Sequence, residues 1–264
     1  DKKCKEIQAK VAQDKGKQLT REGSNPKTLS VLWQQTSAEY RSLCYQAFNL
    51  ATLRIGAIPA KTLKKGKSAI ITDIDETILD NTPQEAQLIL SGKAYNDKDW
   101  REWTMKSAAT AVPGAVEFLQ RAHKKGISIF YISNRDTGEV QWTIRNMASL
   151  KLPDADITHL LFFTGNSSKE SRRQLIIKDH NIIMLLGDNL NDFTRAFEKK
   201  TMADRKIETD KMKDEWGNKF IVLPNSTYGE WENALYNYKR NLSDRQKDSI
   251  RFQLLKGYKE PEQE

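Results

Sequence analysis

Two aspartates, Asp73 and Asp75, lie at and just beyond the end of a short apolar segment, residues 68–73. Side chains two positions apart on an extended chain point the same way, and the ligands of an open parallel sheet bind beyond the carboxyl ends of its strands. Two like charges directed into one crevice cost free energy unless a cation or a shared proton offsets their repulsion. The pair therefore predicts an acidic site that binds a cation or shares a proton.

Polar side chains also follow other apolar segments of the sequence. After residues 182–186 come Gly187, which permits a tight turn, and then Asp188 and Asp192. If a helix begins near Leu190, these two acids face the same side because they are four positions apart. Two further apolar segments are followed by Ser133, Asn134 and Lys169. We expect all these side chains to meet at one edge of a sheet.

The residue types in this predicted crevice favour one chemistry. Carboxylate oxygens are hard ligands that suit Mg²⁺, whereas hydroxyl, amide and ammonium donors suit a phosphoryl group. A carboxylate that attacks phosphorus forms an aspartyl-phosphate, a known covalent strategy. The combination indicates Mg²⁺-assisted phosphoryl transfer. Taken singly, an aspartate after a strand is more often a turn former or a helix cap, and a helix cap is the alternative for Ser133.

The rest of the sequence must supply the elements that position these residues. Short apolar segments predict strands at residues 68–73, 127–132, 160–163, 182–186 and 220–223. Helical periodicity predicts helices at residues 114–125, 139–150 and 169–178. Strands and helices that alternate at this spacing are typical of parallel βαβ units. We therefore predict an α/β fold with a doubly wound, Rossmann-like parallel sheet.

The two ends of the chain differ from this α/β middle. Residues 1–30 are polar and lack a clean apolar period, so we predict an extension there. Residues 31–66 and 230–264 have helical character, and we expect them to pack together as a smaller helical part. Residues 67–229 form the predicted α/β core.

The N-terminal flank contains a helix with an apolar face. Thr36 and Glu39 have capping-box spacing, so the helix is predicted to start at Thr36. Its predicted buried stripe consists of Tyr40, Leu43, Ala47, Leu50 and Leu53, with Cys44 and Ala51 beside it. Cys44 and Cys4 are too few for a disulfide framework or a four-thiolate zinc site. They form one bridge, or both stay as thiols.

The composition excludes several classes of protein. The chain has 264 residues, a net charge of +8 and 38% hydrophobic residues, which is unlike a collagen-like or wholly disordered chain. No apolar run of about eighteen residues occurs, so no membrane-spanning helix is expected. The positive charge would steer phosphate esters toward a site, or it belongs to a solvated surface.

Five segments carry a resemblance to known proteins. DIDET at residues 73–77 and GDNLND at residues 187–192 resemble the aspartate motifs of the haloacid dehalogenase superfamily. AVPGA at residues 111–115, SNR at residues 133–135 and LPNSTYG at residues 223–229 are similar to segments of its class C acid phosphatases, a group of bacterial secreted proteins or lipoproteins. The resemblance covers most of the chain.

The resemblance implies a role for each acid. Asp73 would be the nucleophile that receives the phosphoryl group, and Asp75 the general acid that protonates the leaving oxygen and then activates water. Mg²⁺ would be held by Asp73, the main-chain carbonyl of Asp75, and Asp188. Asp192 would belong to the metal site by holding the water of the metal, or it would hold the lysine that binds phosphate. The phosphate oxygens would be bound by Ser133, Asn134 and Lys169.

The resemblance also implies the substrate and the setting. It implies a Mg²⁺-dependent phosphomonoesterase that hydrolyses small phosphate monoesters, including 5′-nucleotides. No nucleic-acid polymer is expected as a partner. Aromatic candidates for the nucleotide base are Trp100, Trp103 and Tyr228, although packing on the sheet is the alternative for either tryptophan. It further implies a homodimer that is secreted, periplasmic or associated with the outer membrane, although we find no signal segment in this sequence.

Two other functions fit parts of the pattern. A phosphotransferase or phosphomutase would use the same acids but would pass the phosphoryl group to a sugar or alcohol. The short segment between Asp80 and Ala111 leaves no room for a large cap insertion, so water should reach the site. A basic protein that binds nucleic acid or an anionic surface fits the net charge, but the sequence contains no nucleic-acid motif that we recognise.

Overall fold

A parallel sheet forms the centre of the computed structural model, which describes residues 25–63 and 66–258. Its strands, in chain order, are β1 (Ser68–Thr72), β2 (Leu79–Asp80), β3 (Thr110–Ala111), β4 (Ser128–Ile132), β5 (Leu160–Leu161), β6 (Asn181–Gly187) and β7 (Phe220–Val222). The main sheet has the order β5-β4-β1-β6-β7 and is parallel throughout, whereas β2 and β3 form a small antiparallel pair. The predicted α/β fold with a parallel sheet is confirmed, although β5 ends at Leu161 and not at residue 163.

Apolar clusters cover both faces of this sheet, because neighbouring residues along a strand point to opposite sides. In β1, Ile70 belongs to one cluster and Ile71 to the other. In β4, Ile129 and Phe130 are divided in the same way. Burial on both sides explains why these strands are continuous apolar segments in the sequence.

Helices alternate with the strands. In the described ranges they are α1 (Thr28–Thr36), α2 (Ala38–Ala57), α3 (Thr82–Ser91), α4 (Asp97–Lys106), α5 (Ala115–Lys124), α6 (Val140–Ser149), α7 (Glu170–Ile177), α8 (Met202–Lys211), α9 (Glu230–Leu235) and α10 (Asp244–Leu254). The three helices predicted in the core correspond to α5, α6 and α7, each one residue shorter at either end. None of the helices in these ranges is long and apolar enough to cross a membrane.

The predicted start of α2 is wrong by one residue. Thr36 is the last residue of α1, and Ser37 caps α2. The hydroxyl of Ser37 accepts a hydrogen bond of 3.1 Å from the amide of Tyr40. Ser37 takes this position because its extended backbone separates the two helices.

The buried face of α2 also differs from the prediction. Leu43 and Leu53 are 41% and 69% exposed, and the buried side chains are Tyr40, Cys44, Phe48, Ala51 and Ile55. The helix is apolar on more than one side, so its packing against α5 and β7 decides which stripe is buried. Cys44 is a free, buried thiol, and Cys4 lies outside the described residues.

Both flanks of the chain contact the core. Helix α1 packs on α3, α2 packs on α5 and β7, and α9 packs on α8. Buried side chains of α2 share one apolar cluster with β1 and β4. The division of the chain at residues 67 and 229 stays a prediction, and residues 1–24 and 259–264 lie outside the described part.

Candidate active site

The carboxyl ends of β1 and β6 lie side by side at the centre of the sheet. The amide of Asp73 donates to the carbonyl of Leu186 over 3.0 Å, so the chain leaving β1 stays paired with β6. Each of Asp73, Asp188 and Asp192 places a carboxylate oxygen within 4.8 Å of the others. We call these three residues the acidic cluster. It lies where β1 is flanked by β4 and β6, at the point where a doubly wound sheet opens a crevice.

A single 3₁₀ turn over Leu190–Asp192 brings Asp188 and Asp192 together, instead of the α-helix predicted there. The amide of Asn189 donates to Oδ2 of Asp192 over 3.0 Å and closes the turn. Gly187 precedes the turn because a Cβ at this position would lie 2.5 Å from the Cβ of Asp192. The glycine therefore allows a close approach between main chain and side chain.

Lys169 lies between two of the carboxylates. It immediately precedes α7, and its buried ammonium contacts Asp73 Oδ1 and lies 2.7 Å from Asp192 Oδ1. Burial alone would lower the pKa of Lys169, but the adjacent carboxylates of Asp192 and Asp73 outweigh it and raise the pKa above its ordinary value. Lys169 is therefore a fixed cation beside the acids.

The acidic cluster still carries excess negative charge. Burial raises the pKa of Asp73 well above its ordinary value, although Lys169 opposes the increase. Burial, with the charge of Asp192, raises the pKa of Asp188 to about 6. When the three acids are ionised, the ammonium of Lys169 leaves the group with a charge of −2. Hard oxygen ligands with this charge fit a divalent cation such as Mg²⁺.

Two neutral side chains orient Asp188. The hydroxyl of Thr77 donates to Oδ1 over 3.1 Å, and it also lies 3.4 Å from Asp73 Oδ2. The amide of Asn225 donates to Oδ2 over 2.8 Å. Sequence reasoning missed both residues as members of the site, although both lie in segments that resemble the family motifs.

Asp75 lies outside the acidic cluster and makes its own ion pair. Nη2 and Nε of Arg135 lie 2.8 Å and 3.0 Å from Asp75 Oδ1. Asn81 donates to the same oxygen over 2.8 Å, and Ser133 donates to Oδ2 over 3.1 Å. The buried Arg135 neutralises Asp75, so this pair does not change the charge of the cluster. Arg135 follows two predicted site residues in the sequence, which is the signal that could have identified it.

The residues predicted to bind phosphate differ in their surroundings. Ser133 is fully buried, and its hydroxyl also accepts a hydrogen bond from the amide of Arg135 over 3.1 Å. Asn134 and Lys169 line the open groove above the acids. The amide oxygen of Asn134 accepts a hydrogen bond of 2.6 Å from Arg172, another residue that the sequence reasoning missed. Ser133 thus contacts Asp75, whereas Asn134 is exposed in the groove and Lys169 lies buried at its floor beside Asp73 and Asp192.

This groove has a volume of about 1810 Å³, and two of the three predicted aromatic residues, Trp100 and Tyr228, line it. The indole N–H of Trp100 donates to Glu139 over 3.3 Å. The guanidinium of Arg135 lies 5.5 Å from the centre of the Trp100 ring. Two buried charged side chains, Glu139 and Arg135, therefore hold Trp100 in place.

Trp103, the third predicted aromatic residue, does not line the groove. Its ring packs against the apolar core, and its indole N–H donates to Asn81 over 2.8 Å. Since Asn81 donates in turn to Asp75, Trp103 contacts the site only through Asn81.

Comparison with known proteins identifies the family. A family model described as HAD superfamily, subfamily IIIB (Acid phosphatase), matches residues 1–231. The structure of the class C acid phosphatase from Bacillus anthracis is 41% identical, with a TM-score of 0.84, over 88% of this chain and 98% of that chain. A structure of the same protein with tungstate bound matches equally well. Acid phosphatase 1 of Solanum lycopersicum is 23% identical over 136 residues, and this chain spans about half (52%) of that protein's length.

These matches confirm the resemblance to class C acid phosphatases. The matched range, residues 1–231, spans the acidic cluster and Lys169. The Bacillus anthracis structure has the same fold over nearly all of its length. The chain belongs to subfamily IIIB, the acid phosphatase subfamily, of the haloacid dehalogenase (HAD) superfamily.

Proposed function

We propose that this chain is a Mg²⁺-dependent phosphomonoesterase that works through an aspartyl-phosphate on Asp73. The observation that carries the proposal is the contact of the Asp73 carboxylate with Lys169 inside the acidic cluster. A nucleophilic carboxylate, a cation for the phosphoryl oxygens and a place for a divalent ion thus lie together. The tungstate bound to the Bacillus anthracis relative supports oxyanion binding in this family.

The residues that would hold Mg²⁺ are Asp73, Asp188, the main-chain carbonyl of Asp75, and Asp192. The excess negative charge of the acidic cluster supports this assignment. Asp192 uses Oδ1 for Lys169 and Oδ2 for the amide of Asn189, so its main part is to position the lysine. When bound, Mg²⁺ supplies positive charge that stabilises the phosphoryl oxygens during transfer.

The side chains divide the reaction into two steps. Asp73 attacks phosphorus and the bond to the leaving oxygen breaks. Asp75 enters this step protonated, with Arg135 donating to a neutral carboxyl group instead of an ionised one, and gives its proton to the leaving oxygen. Asp75 then removes a proton from water, which attacks the phosphorus, releases inorganic phosphate and restores the Asp73 carboxylate. Lys169 and Asn134 donate to the phosphoryl oxygens. Ser133 donates its hydroxyl hydrogen to Asp75, so it would bind phosphate only if the hydroxyl turned away from that carboxyl group.

We propose 5′-nucleotides as substrates. Trp100 and Tyr228, which line the groove, would stack on the base. Trp103 supports this site through Asn81. From family membership we further propose that the protein is secreted, periplasmic or associated with the outer membrane, and that it forms a homodimer.

Hydrolysis of para-nitrophenyl phosphate tests the function. With added Mg²⁺ we expect turnover that a chelator abolishes and that Asp73→Asn lowers about a thousandfold or more. Asp210→Asn, at an exposed position of α8, is the matched control and should keep full activity. Absence of turnover by the pure protein with Mg²⁺ at every pH from acid to neutral would show that the proposal is wrong.

A further inference from the structure

The groove is larger than a simple phosphate monoester requires. Its volume of about 1810 Å³ exceeds the roughly 300–1,000 Å³ of common small-molecule pockets. It extends from Asp73 and Lys169 to residues on the C-terminal flank, as far along the chain as Lys247. The leaving group of a substrate therefore has room to carry further chemical groups.

One wall of the groove, on the C-terminal side, is basic. We call it the basic wall, and it consists of Lys199, Lys200, Lys239, Arg240 and Lys247. Four of these side chains are exposed and Lys247 is half-buried. Within residues 25–63 and 66–258, none of the five forms an ion pair with an acid. Their charge is available to an anionic ligand.

The fold brings the basic wall together from separate segments. The hydroxyl of Tyr238 donates to the carbonyl of Lys200 over 2.9 Å, which joins the segment before α8 to the segment after α9. Helices α8 and α9 also pack on each other. The ammonium of Lys247, on α10, lies 5.9 Å from the centre of the Tyr236 ring. The positions of these cations are thus tied to packed elements.

Acids in the same part of the groove do not cancel this charge. The three that line it are Glu198, Glu230 and Glu232. Arg251 forms an ion pair of 3.4 Å with Glu232. Glu230 and Glu198 accept hydrogen bonds from Asn233 and Ser168. Because Arg251 also pairs with Asp248 at 2.8 Å, Glu232 still counts as charged, and five cations against three acids leave the wall with a net positive charge.

On the basis of the proposed phosphatase function, we propose that the enzyme prefers phosphate monoesters whose alcohol half carries a second phosphate group. The reacting phosphoryl group binds at Asp73 and Lys169, and the second phosphate binds the basic wall. Lysine and arginine side chains are suited to phosphate, and a groove lined by one sign of charge concentrates ligands of the opposite sign. The second phosphate takes no part in bond breaking, so it changes binding and not the chemical step.

The test compares adenosine 5′-monophosphate with adenosine 3′,5′-bisphosphate, with the products separated by chromatography. At low ionic strength we expect kcat/KM for the bisphosphate to be about tenfold higher. The ratio should approach one as salt is added, because exposed charges are screened. A ratio near one at low ionic strength would overturn the proposal.

Variants in which glutamine replaces lysine or arginine show whether the basic wall causes the preference. The basic-wall variant combines Lys199→Gln, Lys200→Gln, Lys239→Gln and Arg240→Gln. The control makes the same charge change at exposed sites that do not line the groove, through Lys106→Gln, Lys124→Gln, Lys178→Gln and Lys213→Gln. The basic-wall variant should lose the preference but keep activity on para-nitrophenyl phosphate. Equal loss in the control would mean that net charge, and not the wall, sets the preference.

Binding separates this proposal from the proposed function. Calorimetry on Asp73→Asn protein with Mg²⁺ measures the Kd of both nucleotides without turnover. Tighter binding of the bisphosphate, lost in the basic-wall variant, supports the proposal even if the wild-type protein hydrolyses nothing. Equal affinity for the two nucleotides overturns it even if the phosphatase activity is present.

Discussion

The guanidinium of Arg135 places two nitrogen atoms, Nη2 and Nε, 2.8 Å and 3.0 Å from one oxygen of Asp75. Ser133 binds the other oxygen. Because a guanidinium is a rigid planar donor, the carboxyl group that we propose as general acid and base has a fixed orientation. Arg135 is therefore a positioning residue that acts through Asp75.

Replacement of Arg135 should affect kcat more than KM. In Arg135→Met the carboxyl group of Asp75 loses its charged planar partner and keeps only the neutral donors Asn81 and Ser133. We expect kcat on para-nitrophenyl phosphate to fall about 100-fold. Arg135→Lys should recover part of this loss, because it restores the charge but not the planar fork. Steady-state kinetics check both variants, and an increase in KM with unchanged kcat would contradict a positioning role.

Lys169→Met should destabilise the protein. The substitution leaves Asp73 and Asp192 buried without their cation, so in the presence of a chelator we expect the free energy of unfolding to fall by about 3–5 kcal/mol. Chemical denaturation measures the change. Lys178→Met, at an exposed position just after α7, is the control and should change little. Equal stability of the two variants would show that the buried ion pairs contribute nothing.

Gly187→Ala should disturb the acidic cluster because the added methyl group collides with Asp192. The added Cβ would lie 2.5 Å from the Cβ of Asp192 and displace that side chain from Lys169. We expect a loss of about 1–3 kcal/mol in unfolding free energy and a fall in kcat/KM of about 100-fold. Gly56→Ala, in α2 with nothing within 4 Å of the new atom, should instead stabilise by about 0.5–1 kcal/mol. If both substitutions changed the free energy of unfolding in the same direction, this explanation would be wrong.

Lys125→Met should destabilise the end of α2 without affecting the site. The ammonium of Lys125 contacts the carbonyl of Ile55 and lies 3.0 Å from that of Ile58. Loss of these charged hydrogen bonds should cost about 1.5–3 kcal/mol in thermal unfolding, while kcat and KM stay unchanged. Lys124→Met, at the exposed neighbouring position, is the control. An equal loss of stability in the control would show that the contacts of Lys125 with the end of α2 do not stabilise the protein.

The thiol of Cys44 should be unreactive in the folded protein at neutral pH. Burial raises its pKa to about 11, and only the thiolate reacts with iodoacetamide. In a Cys4→Ser variant, we expect slow alkylation at about pH 8 that accelerates toward about pH 11 and becomes fast in denaturant. Mass spectrometry measures the rate. Rapid labelling of the folded variant at about pH 8 would mean that the thiol is accessible.

The acids of the site could be predicted because of where they stand in the sequence. Strands β1 and β6 are buried by neighbours on both faces, so they appear as continuous apolar segments whose ends are easily found. Asp73 and Asp188 follow these ends directly. In a doubly wound sheet such residues meet as a consequence of topology, so no knowledge of side-chain packing was needed.

Side-chain partners could not be predicted in this way. The contact between Arg135 and Asp75 depends on how far a long side chain reaches from the end of β4 to the end of β1, which spacing along the chain does not encode. In α2, Leu43 and Leu53 fit an apolar stripe as well as the buried residues do, and only packing selects between them. A separation of four residues, as between Asp188 and Asp192, fits both an α-helix and a shorter turn.

The central position of β1 has a consequence for biosynthesis. β1 is the first strand of the main sheet to leave the ribosome, but its two neighbours, β4 and β6, are separated from it by long stretches of chain. Contacts between such distant segments close slowly and form late. Asp73 therefore leaves the ribosome before Lys169 and Asp188 do, and a nascent chain that stops before β6 lacks a complete acidic cluster.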